Sequence, residues 1–87
     1  MKIIGLKNVE RKDTPIYYRR FYSGLLSMEI LNKPVDRKID FKIETMPTGK
    51  KDISITFEQP VDYPVVPLMR ELKHYLNELD KNGKLPL

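Results

Sequence analysis

The 87-residue chain has no cysteine and no tryptophan, one histidine and four glycines. Without cysteine it can form neither a disulfide framework nor a thiolate metal site, the usual supports of small secreted domains. A reducing, cytoplasmic setting is therefore expected. Long apolar runs are also missing. The opening MKIIGLKNVERKD is interrupted by Gly5, Lys7 and Asn8 and lacks the unbroken apolar centre of a signal peptide, and no stretch reaches membrane-spanning length, so no membrane partner is expected. A chain this short is read as a single domain, residues 1–87. Its core is small enough that homodimerisation is an expected supplement to stability.

Signatures of catalysis are equally scarce. His74 is the only imidazole, placed so that Glu71 and Glu78 share its helix face. Three exposed groups fall short of a closed metal site, and ion pairing on a solvated face accounts for them. Ser23, Ser27 and Ser54 lack a nucleophile-elbow context. Gly49-Lys50-Lys51 lacks the spacing and the closing hydroxyl of a phosphate loop. Asp36 and Asp40, read as lying in a loop that enters a strand, have Arg37 and Lys38 nearby to keep them ionised, the reverse of what a catalytic acid needs. Neither an enzyme nor a cofactor is expected.

What is present is charge and alternation. Sixteen Lys and Arg against twelve Asp and Glu leave a net +4. Residues 1–42 carry ten of the cations and five of the acids, which suggests a basic face built by the N-terminal half. Ile39, Phe41 and Ile43 alternate with charged residues, as do Ile53, Ile55 and Phe57 with polar ones. Period two with β-branched and aromatic side chains predicts two half-buried strands, joined by MPTGKKD as a hairpin with a basic tip at Lys50 and Lys51. Pro60, Pro64 and Pro67 then favour an extended lead-in. Leu68, Leu72, Tyr75, Leu76 and Leu79 follow at helical spacing, so the helix is predicted to start near Val65 or Val66 and stop at Asn82-Gly83. Leu85-Pro86-Leu87 either packs back on the core or docks on a neighbour.

Nearer the N-terminus, Lys2 to Val9 reads as a strand and Arg11-Lys12-Asp13-Thr14 as a polar turn. Pro15 to Asn32 has two readings. As a helix it is capped by Thr14, with Tyr17, Phe21, Leu25 and Met28 on one stripe. As strands, Ile16–Tyr22 pairs with Leu25–Leu31 across Ser23-Gly24. The tyrosine and phenylalanine pairs, and the cost of about 1 kcal/mol for Gly24 in mid-helix, favour strands. The expected fold is thus α+β, an antiparallel meander of four to five strands with one C-terminal helix packed on one face. That element order is similar to PUR-type and related single-strand-binding domains, in architecture alone, since no RNP-like or GXXG motif accompanies it.

The stretch IYYRRFY, Ile16 to Tyr22, carries four of the eight aromatics and two adjacent arginines. A strand directs Tyr17, Arg19 and Phe21 to one side and Ile16, Tyr18, Arg20 and Tyr22 to the other, so either Arg19 or Arg20 must point toward the helix. Exposed aromatics beside cations are the physical basis of sheet-face binding to single-stranded DNA or RNA. Tyr17, Arg19 and Phe21 form the expected stacking strip, with Lys42, Lys50 and Lys51 as phosphate contacts. The same surface suits a protein partner or a second copy, because Tyr, Phe and Arg are enriched in interface cores.

Overall fold

A computed structural model describes residues 1–13, 15 and 17–86. Four strands, β1 (Lys2–Lys12), β2 (Arg19–Ile30), β3 (Lys33–Thr45) and β4 (Lys51–Phe57), form one antiparallel sheet in the order β1-β2-β3-β4. One helix, α1 (Val65–Lys81), follows and covers one face of the sheet. The alternation that identified β3 and β4 is realised directly. Ile39, Phe41, Ile43 and Ile53 are buried under Leu68, Leu72 and Leu76 of α1, and the intervening residues point to the other side. The helix begins at Val65, as Pro67 requires, and Gly83 follows its end at φ +67°. Leu85 is 7 % exposed and joins the core, so the tail packs back against its own chain.

Three local expectations are corrected. Ser23-Gly24 is no turn: β2 runs uninterrupted from Arg19 to Ile30, and Gly24 is buried at its centre opposite Ile39. The glycine serves packing here. A Cβ at residue 24 would lie 3.0 Å from Leu6 Cδ1, so the β1 side chain occupies the volume that a larger residue would need. The reversal lies further on, at Leu31-Asn32, a two-residue loop with both φ values positive (52° and 63°) between the paired Ile30 and Lys33. Arg11 and Lys12 belong to β1 and pair with Tyr22 and Phe21, so they are not part of a turn. Asp36 and Asp40 both lie within β3, which starts at Lys33 and not at an incoming loop. Thr14, Ile16 and Leu87, which entered the readings of the turn, the strand start and the tail, lie outside the described residues.

The two edges of the sheet differ. β1 is broken by register shifts between Ile3 and Gly5 and between Lys7 and Glu10, with Asn8 at φ 54°. Such bulges disturb the row of free backbone groups that an edge otherwise offers for pairing. β4 is short and regular, and α1 lies nearest to it. Among the described residues no helix is long and apolar enough to cross a membrane.

Candidate nucleic-acid interface

The adjacent arginines resolve as the strand geometry demands. β2 directs Arg20 and Tyr22 to the helix side and Arg19 and Phe21 to the open side. Tyr22 is 1 % exposed, its ring stacked on Phe41 with centroids 5.0 Å apart. Its hydroxyl accepts a bond from Arg20 Nη1 (3.1 Å) and donates to the Pro86 carbonyl (3.4 Å). Arg20 itself reaches Asp80, in the last turn of α1, at 2.8 Å, and Lys51 donates to the other carboxylate oxygen. One helical carboxylate thus receives two cations from the sheet. The hydrogen bond from Arg20, supported by the one from Lys51, holds the Asp80 carboxyl below its ordinary value although burial pushes the other way. Asp80 in turn raises Arg20. Arg20 and Lys51, both expected as ligand contacts, are therefore engaged in joining helix to sheet.

On the open face, Phe21 is half-buried between Lys12 of β1 and Lys42 of β3, its register partners. Leu25, further along β2, lies between Lys7 and Lys38 in the same way. Arg19 binds Glu44, which also lies 3.9 Å from the Lys42 ammonium, and Lys12 reaches Asp40 at 3.1 Å. Counted across the register, the face presents six cations (Lys2, Lys7, Lys12, Arg19, Lys38, Lys42) and six carboxylates (Glu10, Glu29, Asp36, Asp40, Glu44, Asp52). The expectation of a basic face from the N-terminal half is corrected here. Strand pairing brings Glu44 and Asp52, from beyond residue 42, onto the same surface and cancels its surplus.

The aromatic surface lies at one end of the sheet. Tyr17 and Tyr18 occupy the turn leading into β2, outside the strand, so Tyr17 does not extend the Arg19–Phe21 row as the strip reading assumed. Tyr17 is 91 % exposed and Tyr18 44 %, their rings edge to face at 5.8 Å, with the Arg19 guanidinium 5.5 Å from the Tyr18 centroid. The backbone N–H of Thr45 donates to the Tyr18 carbonyl and ties this turn to the end of β3. Together with Thr45, Met46 and Pro47 the two rings line an open groove of about 560 Å³, which Glu44 closes at one end. Lys50 sits exposed in the same β3–β4 hairpin, whose turn is closed by Gly49 at φ +88°. The sequence had marked Tyr17; it had not marked Tyr18, Met46 or Pro47, because a strand reading of 16–22 sends Tyr18 toward the core.

Among the described residues, no three His, Asp or Glu side chains come together in an arrangement that could hold a metal ion. No curated protein and no solved structure matches the chain. Residues 1–81, from the start of the sheet to the last residue of α1, match the BB_0187 family, and the chain belongs to that family.

Proposed function

We propose that this protein is a small, non-enzymatic module that binds single-stranded DNA or RNA at the hairpin end of its sheet. The observation that carries this reading is the pair of exposed tyrosines, Tyr17 and Tyr18, beside a groove that also offers Met46 and Pro47. A duplex hides its base faces, whereas a single strand can lay them on such rings, gaining about 1–3 kcal/mol per stacked base. Phe21, with Lys12 and Lys42 in register on either side, continues the contact onto the open face. Arg19 lies between the two aromatic positions, as a cation–π partner of Tyr18.

The test is fluorescence anisotropy of labelled single-stranded oligonucleotides at two salt concentrations. Salt-dependent binding that weakens roughly tenfold in Tyr17→Ala, as expected for one lost stacking contact of about 1.4 kcal/mol, supports the reading. No binding at low salt, or binding indifferent to salt, refutes it.

A second reading, association with another copy of the chain, is favoured by the half-buried Phe21 and Leu25 on a face that no element covers and whose charges nearly balance. Sedimentation separates the two. A dimer that dissociates in Phe21→Ser assigns the face to assembly and leaves only the tyrosine end for ligand.

A further inference from the structure

On the helix side, a cleft of about 570 Å³ separates the start of β4 from the C-terminal half of α1. Lys50 and Lys51 line one wall, and Lys73, His74, Asn77 and Lys81 line the other. The helical residues recur at steps of three and four, so they share one strip of α1. The single acid in the lining is Asp52.

Charge is distributed unevenly around this cleft. Asp80 is already satisfied by Arg20 and Lys51. Lys50, Lys73 and Lys81 have no carboxylate within 4.0 Å among the described residues, although the open face matches its cations with carboxylates in number. With Asp52 and Asp80 set against Arg20 and the four lysines, the cleft holds a formal surplus of three positive charges, most of the net +4 of the chain. The helix C-terminus contributes about half a negative charge, which the Lys81 ammonium covers. A walled groove focuses such a surplus more strongly than a flat surface does.

The β4 wall adds backbone donors. Lys50 and Glu58 bond β3 through their carbonyl and amide, so the residues of β4 in step with them pair with β3. Lys51 and Ile53, out of step, direct their N–H groups to the free edge beside the cleft. Fixed N–H groups, ammonium groups and an imidazole are complementary to oxyanions of a linear phosphate chain, whose charges are spaced to meet several lysines at once.

We propose that this cleft is a phosphate-chain site, in which Lys50, Lys73 and Lys81 neutralise successive phosphates and His74 and Asn77 supply hydrogen bonds. The phosphates are those of a single-stranded polynucleotide whose bases rest on Tyr17 and Tyr18 across the hairpin, or those of a free polyphosphate. The first source rests on the function proposed above; the site itself does not.

The experiment follows backbone amide shifts of the full chain during titration with tripolyphosphate and, separately, with oligothymidylate. A Lys73→Gln/Lys81→Gln variant is titrated alongside; both side chains are exposed, so the fold is retained. Shifts at Lys50, Lys73, His74 and Lys81 with tripolyphosphate, lost in the variant, are expected. For oligothymidylate the slope of log affinity against log salt is expected to fall in size by about 1.4, from about 0.7 per neutralised phosphate on a single strand, while Tyr17→Ala leaves the slope unchanged. Tripolyphosphate binding in the cleft without oligothymidylate binding supports the site and refutes the single-strand function. Oligothymidylate binding with an unchanged slope and silent cleft amides refutes the phosphate path and leaves the tyrosine contact standing. Absence of cleft shifts with both probes overturns the proposal.

Discussion

Replacing Asp80 by Asn keeps the side-chain shape and removes the one charge that joins the last turn of α1 to both β2 and β4. The Asp80 side chain is 7 % exposed, against 24 % for Arg20 and 36 % for Lys51. Breaking a fully buried ion pair costs about 3–5 kcal/mol, whereas an exposed pair contributes about 0–1. Water reaches both cations here, so the expected loss is about 2 kcal/mol, between these limits. For a chain of this length that lowers Tm by about 8–16 °C. The comparison is Glu44→Gln, which removes the Arg19 contact on the open face, where Arg19 is 38 % exposed and Glu44 15 %; its expected cost is under about 1 kcal/mol. Urea unfolding of both variants, with Arg20→Gln and the Arg20/Asp80 double variant, gives the coupling energy, expected at about 1–2 kcal/mol. The pH dependence provides a second check. Because the folded Asp80 binds protons more weakly than its ordinary 3.8, its stabilisation is fully present above that value and is lost as pH falls through the lower, folded value. The wild-type and Asp80→Asn curves should therefore converge only in acid, below about pH 4. A loss from Asp80→Asn no larger than that from Glu44→Gln, or a coupling below about 0.5 kcal/mol, refutes the account of Asp80 as the joint between helix and sheet.

Other consequences are direct. Leu31 is 84 % exposed and holds φ 52°, so Leu31→Asn with Asn32→Gly removes left-handed strain without losing burial and should raise stability by about 1 kcal/mol in urea unfolding. Gly24→Val should destabilise by about 2 kcal/mol despite the better strand propensity of valine, because its methyls enter the space held by Leu6; thermal denaturation decides the sign. Leu85→Ala should cost about 2 kcal/mol by the same assay, since the side chain lies in the core beyond the helix, and no loss would mean that the tail is not part of the folded unit.

The placement of Tyr17 and Tyr18 shows where reading a pattern ends. From residue identities alone, IYYRRFY is as good a strand as FKI or ISITF, and its two faces follow from alternation. Where β2 starts depends instead on how far β1 and β3 extend alongside it. Arg19 is the first residue of β2 with a paired partner, Glu44, and the two tyrosines before it bend into a turn held by the Thr45 amide. The same limit produced the misplaced hairpin. Gly24 looks like a turn residue until Leu6, on the neighbouring strand, is seen to fill its side-chain space, and Leu31-Asn32 carries no glycine to announce a reversal.

The sequence by itself determined the α+β class, the alternation of β3 and β4, the hairpin at Pro47–Gly49 and both ends of α1, because each depends on periodicity or backbone chemistry within a few residues. It also determined that Arg19 and Arg20 must part, since neighbours on a strand face opposite ways. Only the tertiary structure decided that Arg20 and Lys51 meet on Asp80, that the open face is neutral and that the surplus charge gathers between β4 and α1. Charge in space depends on register and on which helix face turns inward, and those are set by pairings between residues far apart in the chain.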